Sequence, residues 1–248
     1  MMNDEVTAQI KEHAVRTIAH RWFAFFEGDV NDMESHLKIF EKDIKLIHAG
    51  RYLLADGLDS IKLWLENLPQ ETGSHFIKSL DLKHLDDKTA EGTMKIAYQI
   101  VNPDETLSGA IIEYKVIVVF DNYNEATFRI IQKTPMHPNP STTYKDSFKD
   151  NRLKAFVNRL LFLVKGFQYQ NIYELCLDES IWKEWNTFAY ETLKNNLTIS
   201  VDEMNTVNLT VGLTVRGTNG DLTEEKKINI SLQDTAESYL KISALETV

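Results

Sequence analysis

Three helical patterns followed by four strand patterns in a row fill the first part of the chain. They end at the proline-rich run Thr134-Pro135-Met136-His137-Pro138-Asn139-Pro140, after which the same order of patterns begins again. A run of hairpin-linked strands leaves an apolar face that the preceding helices can cover, which is the plan of an α+β domain. Its repetition divides the chain into a first domain over residues 1–136, a Pro-rich polar linker over 137–149 and a shorter second domain over 150–248.

The first helix is read from Val6 to Glu27, where Ile10, Ala14, Ile18, Trp22, Phe25 and Phe26 form one stripe. Gly28-Asp29 breaks it. A short helix over 31–40 follows, then a strand pattern over Ile44–His48, a loop holding Gly50 and Gly57, and a third helix from Leu58 that stops before Pro69. Strands are expected near 75–85, 90–101, 108–120 and 126–134, divided by Asp86-Asp87, Asn102-Pro103-Asp104 and Asp121-Asn122-Tyr123-Asn124, residues that favour turns. Period-two reading puts Met94, Ile96, Tyr98 and Ile100, with Ile112, Tyr114, Val116, Val118 and Phe120, on the covered face.

After the linker, Leu153, Phe156, Leu160, Val164 and Phe167 mark a strongly apolar helix, and Ile172–Leu177 a short second one. Ser180 is placed to cap a third that carries Trp182, Trp185 and Leu193. Strands follow near 197–204, 207–217, 225–233 and 238–245. Val207, Leu209, Val211, Leu213 and Val215 alternate with polar residues, and Asn219-Gly220 reads as a hairpin loop. The expected interior of this half, including Phe156, Leu160, Trp182, Trp185, Leu209 and Val211, holds no ionisable residue, which fits a structural partner.

With 27 Lys and Arg against 37 Asp and Glu, the net charge of -10 argues against a nucleic-acid partner. A single cysteine, Cys176, excludes an intrachain disulfide framework; its leucine neighbours make it a buried thiol. No apolar run approaches the roughly 20 residues of a bilayer span, and the acidic start lacks the features of a signal peptide. The expectation is a cytoplasmic protein with no membrane partner. The seven histidines all precede residue 140, but no third ligand joins His13 and His20 at helical spacing, and neither a metal nor a cofactor is expected.

Helix, short helix, short strand, helix and four antiparallel strands together resemble the NTF2-like superfamily, which includes ketosteroid isomerase and the SnoaL-like polyketide cyclases. The Glu27-Gly28-Asp29 break and the Phe40-Glu41-Lys42-Asp43-Ile44-Lys45-Leu46-Ile47-His48 stretch resemble two structural motifs of that group. The resemblance covers about residues 5–136 and, in outline only, 150–246. It implies tandem α+β cones, each with N-terminal helices packed on a curved antiparallel sheet. It also implies pairing through sheet faces, as an internal pseudo-dimer or a homodimer. Laid on the isomerase pattern, Arg21 stands at the oxyanion tyrosine, His48 at the carboxylate base and Val116 near the sheet acid, so all three positions depart from it.

Several residues could carry chemistry in the first domain. His48 shares the face of Ile44 and Leu46 and is read either as a general base or as a histidine at the core edge. Arg21 lies within the apolar stripe of its helix, so its guanidinium must meet an anionic ligand or an internal acid. Tyr98 and Tyr114 face inward, Trp22 and Trp64 could wall the same cavity, and Asp56 either reaches the pocket mouth or caps the third helix. Two readings remain. One is a module binding a small, partly apolar ligand able to carry negative charge. The other is a SnoaL-like isomerase, cyclase or hydratase, working without metal, in which His48 takes a proton and Arg21 stabilises an oxyanion.

Overall fold

The computed structural model describes residues 4–28, 32–69, 71–192, 197–219, 222–235 and 240–248. It divides into two compact units, Ala14–Asn151, and Met1–His13 together with Arg152–Val248.

The Ala14–Asn151 unit takes most of α1 (Asp4–Glu27), then α2 (Met33–Leu37), β1 (Phe40–His48), β2 (Tyr52–Asp56), α3 (Leu58–Glu66), β3 (Thr72–His84), β4 (Thr89–Val101), β5 (Leu107–Phe120) and β6 (Ala126–Pro138). These strands form one sheet in the order β2-β1-β6-β5-β4-β3. All neighbours are antiparallel except β1 and β6, which run parallel from Phe40↔Phe128 to His48↔Lys133. The sheet is therefore mixed, not antiparallel as expected. The hairpins from β3 to β6 fix the direction of β6, and the chain bridges β1 to β3 with a strand and a helix, so β1 need not alternate with it.

One face of the sheet builds the core. Tyr114, Val116, Val118 and Phe120 alternate inward on β5, joined by Met94 and Ile96 of β4, Phe128 and Ile131 of β6, and Ile44 and Leu46 of β1. Val15, Ile18, Ala19, Trp22 and Phe23 of α1 and Ile61 and Leu65 of α3 are buried with them. Each large apolar side chain so buried contributes about 1.5–3 kcal/mol. Helices packed on one face of a mixed sheet make the unit an α+β fold.

Local chemistry sets the boundaries. Asp32 accepts from the Ser35 amide at 3.0 Å and caps α2, which ends at Leu37. Phe40, expected in that helix, instead opens β1 against Phe128. β2 occupies what reads as a loop, and Gly57, with φ of 86°, turns the chain into α3. β6 continues through Pro135 and Pro138. Past Lys133 it has β5 on one side only, so the missing amides cost no ladder bond.

Residues 139–147, read from the sequence as a linker, run back over β3 and β4. The Asn139 amide bonds Gly109 O at 2.9 Å, Gln99 bonds both the Thr143 carbonyl and the Lys145 amide, and the Tyr144 hydroxyl bonds Gly73 O at 2.8 Å. A Cβ on Gly109 would stand 2.4 Å from Asn139 O and 3.0 Å from Tyr98 O, both backbone atoms. Gly109→Ala is expected to lose about 1–3 kcal/mol by overpacking and to expose 139–147 to limited proteolysis. An unchanged urea midpoint would show that this segment is not held at Gly109.

The other unit contains the start of α1, most of α4 (Phe148–Lys165), a 3-10 helix (Tyr169–Leu175), α5 (Glu179–Thr192), β7 (Leu197–Asn205), β8 (Thr210–Asn219), β9 (Leu222–Gln233) and β10 (Lys241–Thr247). Its sheet is an antiparallel meander in the order β10-β9-β8-β7. His13 bonds Asn158 at 3.0 Å and Lys165 bonds Gln9 at 3.0 Å, tying the N-terminal turns to α4. Phe156, Leu160, Val164, Trp185, Val211 and Leu213 are buried as expected, while Trp182 and Leu209 are only partly covered. Arg152 is also buried and pairs with Asp234, an ionic group in a half whose interior was read as free of them.

Two further readings are corrected. Asp178, not Ser180, caps α5, accepting from the Ser180 amide at 2.8 Å and the Ile181 amide at 3.1 Å. Val207 and Leu209 lie in a turn ahead of β8, because the Asn205 side chain accepts from the Val207 and Asn208 amides at 3.0 Å. Leu193, Gly220 and the expected strand start at 238 lie outside the described residues, as do Asp29 and Asn31. Cys176 is buried and its thiol donates to Ile172 O at 3.4 Å; burial, then the charge of Asp178, pushes it up to about 11. Its backbone forms a single parallel bridge with Ile242 of β10.

Candidate functional site

The C-terminal end of α1 is an unfavourable place for a carboxylate, since the helix carbonyls already concentrate negative charge there. Glu27, the last residue of α1, is nevertheless only 1% exposed at its side chain. Donors surround it. Its Oε1 accepts from the His75 amide at 2.6 Å, from the Ser147 hydroxyl at 2.6 Å and from His75 Nδ1 at 3.1 Å, and its Oε2 accepts from Asn151 Nδ2 at 3.1 Å. Asn151 also bonds His75 O at 2.9 Å and accepts from His20 Nδ1 at 2.9 Å.

A carboxylate can only accept, so Nδ1 of His75 carries the proton in this bond. Nε2 has no hydrogen-bond partner among the described residues. The ring stacks on Phe23 at 5.2 Å, tilts against Tyr98 at 4.9 Å and lies 5.6 Å from Phe26. The result is an oriented imidazole in an aromatic setting, with one nitrogen anchored and the other without a hydrogen-bond partner among the described residues.

Around this dyad the interior is aromatic. Trp22 stacks on Trp64 at 6.4 Å and on His36 at 6.0 Å, and meets Phe26 and Phe40 edge-on at 4.7 and 5.6 Å. The fully buried Tyr114 hydroxyl is pushed up by burial, eased by the nearby Trp22 indole and raised again by Tyr98. That indole N–H approaches the phenol without a well-formed hydrogen bond. Tyr98 donates to Glu71 Oε2 at 3.5 Å; burial and the Glu71 charge push it up to about 12. Lys133 of β6 places Nζ 5.4 Å from the Trp64 ring centre.

The residues singled out from the sequence separate into two groups. Trp22, Trp64, Tyr98 and Tyr114 come together. His48 stands further along, in register with Lys133 and stacked on Tyr52 at 6.5 Å; its buried Nδ1 has no hydrogen-bond partner. The Arg21 guanidinium donates to the Ser35 carbonyl at 2.8 Å and so holds α2. Asp56 is exposed at the end of β2, in register with Lys45, and makes no side-chain cap to α3, whose N-cap is Gly57. Glu27, His75, Lys133 and Glu71 were missed. His75 was within reach of the sequence argument, since it pairs in register with Tyr98, already assigned to the interior.

His36 provides a separate test of this packing. It is buried, stacks on Phe25 at 4.1 Å, and is held well below the usual histidine value by burial and then by Arg21. Above about pH 6.5 both folded and unfolded states are neutral there, so stability is fully present. As pH falls below that value the unfolded state binds a proton that the folded state refuses, and stability declines by up to about 1.4 kcal/mol per pH unit. A His36→Phe variant is expected to flatten this limb in urea unfolding. An identical slope in variant and parent would show that His36 does not cause it.

No family model matches the chain, and no curated protein is significantly similar to it. Solved structures similar to it include a putative scytalone dehydratase from Novosphingobium aromaticivorans, 15% identical, covering 56% of this chain and 93% of that one with a TM-score of 0.47. Another is a hexachlorocyclohexane dehydrochlorinase, LinA-type3, from Novosphingobium barchaimii, 10% identical, covering 57% and 97% with a TM-score of 0.49. A third is an NTF2-like protein with a cystatin-like fold from Novosphingobium aromaticivorans, 11% identical, covering 51% and 82% with a TM-score of 0.43. Among the described residues no helix is long and apolar enough to cross a membrane. No group of three His, Cys, Asp or Glu among them is placed to hold a metal.

Proposed function

We propose that the Ala14–Asn151 unit binds a small, partly apolar molecule against Trp22, Trp64, Tyr98 and Tyr114 and removes a proton from it with His75 as general base. The observation that carries this reading is the Glu27–His75 bond, which fixes the ring tautomer and leaves Nε2 as the basic atom. Glu27 would hold the imidazolium that forms. His48, the base suggested by the sequence, has no carboxylate to orient it in this way, although its inward-facing edge keeps it a candidate ligand contact.

Proton removal can be tested before a natural substrate is known. Cyclic ketones offered in deuterated buffer should exchange their acidic C–H protons faster with the protein than without it, followed by NMR. His75→Asn should remove that gain, and His48→Ala should retain most of it. Exchange that never exceeds the buffer rate, or that survives in His75→Asn, would leave a binding module without this chemistry. Phe23 and Tyr98 against the His75 ring are the contacts that favour that second reading.

The Arg152–Val248 segment reads as a reduced second cone. In the first unit, the strand after the short helix runs parallel to the last strand of the meander; in the second, Cys176 follows the 3-10 helix and makes one parallel bridge to the last strand. The four meander strands follow in the same order in both sheets. These shared features support a duplicated plan in which the second copy kept a scaffold role.

A further inference from the structure

The row of side chains across the middle of the cone sheet holds a group that the proton-transfer reading does not use. Lys133 on β6 lies in register with His48 on β1 and with Tyr114 on β5, so the three share one face. The lysine is half-buried. Its Nζ lies over the Trp64 ring, and among the described residues no carboxylate ion-pairs with it and no atom hydrogen-bonds it. Surface lysines in this unit do find acids, as Lys62 does with Glu66 and Lys115 with Glu113. Burial lowers the Lys133 ammonium below its ordinary value, and Glu71 pulls it partly back.

We propose that Lys133 is an amine nucleophile that captures a ketone or aldehyde as an imine inside the cone. A desolvated lysine beside apolar walls is the standard route to a free amine near neutral pH. In the reaction the Nζ lone pair attacks the carbonyl carbon and a C–N bond forms. The C–O bond then breaks, and the oxygen leaves as water carrying the two hydrogens that were on the amine. His48 and Tyr114 are the neighbours in register that can relay those protons. The Trp64 face covers the carbon that becomes cationic when the imine is protonated. The substrate class is thereby narrowed to small carbonyl compounds with an apolar body, which rests on the cone being the binding site but not on His75 acting as base.

The probe is pentane-2,4-dione, a neutral diketone that condenses with amines to a stable enaminone, applied briefly to the full chain and located by peptide mass spectrometry. Lys133 should be modified several-fold faster than the exposed Lys78 and Lys83. Lys133→Arg should lose that fast label and keep the slow surface pattern, with its urea midpoint reported alongside. Label at Lys133 no faster than at Lys78 and Lys83 overturns the proposal, and that comparison within the unaltered protein decides the matter even if the arginine variant folds poorly. Fast label that persists in His75→Asn would support the imine while leaving proton transfer to stand or fall by its own exchange assay. Fast label lost in that variant, with the fold intact, would count against an amine that acts without His75.

Discussion

Glu27→Ala is expected to destabilise the protein by about 3–5 kcal/mol, the range for removing one partner of a buried ionic or charge-assisted cluster. The substitution takes away the acceptor shared by the His75 amide, His75 Nδ1, the Ser147 hydroxyl and Asn151 Nδ2. Each donor left dry costs about 1–3 kcal/mol, and some will recover part of that by turning to one another. Ser147 can still meet the His75 amide, for instance, at their present 2.8 Å. Glu27→Gln keeps the shape and, with its oxygen toward His75 and Ser147, keeps three of the four bonds but turns its NH2 on the Asn151 donor, so an intermediate loss is expected. Urea denaturation of the three proteins, with unchanged m-values, is the measurement. A loss below about 1 kcal/mol for the alanine variant would mean that water satisfies the donors, and with it that His75 is not fixed by Glu27.

The second large effect is expected at Trp22. It is 1% exposed and contacts Phe26, Phe40, His36 and Trp64, so Trp22→Ala removes the side chain around which α1, α2, β1 and α3 meet. Large-to-alanine changes at such sites cost about 3–5 kcal/mol, the spread depending on how far the neighbours collapse. Trp22→Phe should lose much less, because it keeps most of the volume and gives up only an indole N–H that has no well-formed hydrogen bond. If alanine and phenylalanine destabilise equally, the cost lies with the N–H and its approach to Tyr114, and the packing account is wrong. The alanine variant that still folds should also bind small aromatic compounds in the vacated space, detectable by ligand-dependent shifts in melting temperature.

The parts of the cone that were legible in the sequence are those whose signal is local. Tyr114, Val116, Val118 and Phe120 advertise β5 because inward residues recur at period two, and Ile18, Trp22 and Phe25 do the same for α1. β2 gave no such signal. Tyr52 and Leu53 are both more than half exposed, so its apolar residues do not alternate between a wet and a dry face. The aromatic half of the site was readable for the same reason as the core, since Trp22, Tyr98 and Tyr114 fall on inward positions of strong patterns. The polar half was not. Glu27 and His75 meet because the end of α1 and the start of β3 are brought together by everything folded between them, and no spacing in the sequence encodes that meeting. Arg21 is a different case: its place on an apolar stripe was read as a need for an anionic ligand or an internal acid, and a contact no pattern suggested is the one its guanidinium makes to a backbone carbonyl of α2.

The parallel pairing of β1 with β6 also bears on the order in which the unit assembles. Hairpins such as β4–β5 join neighbours along the chain and can form as soon as both strands exist. β1 must wait for β6, whose partners Phe128 to Lys133 emerge last. During synthesis the first strand, with Phe40, Ile44 and Leu46 destined for the core, therefore has only β2 beside it until nearly the whole unit has left the ribosome. Closing so long a loop is an entropic cost met late, and it makes this seam the natural rate-limiting contact of folding. A chain cut short before Ala126 would retain the α1 helix and the β3–β5 meander yet be unable to seat β1. Truncations on either side of β6 should accordingly divide soluble, cooperatively folding fragments from aggregating ones.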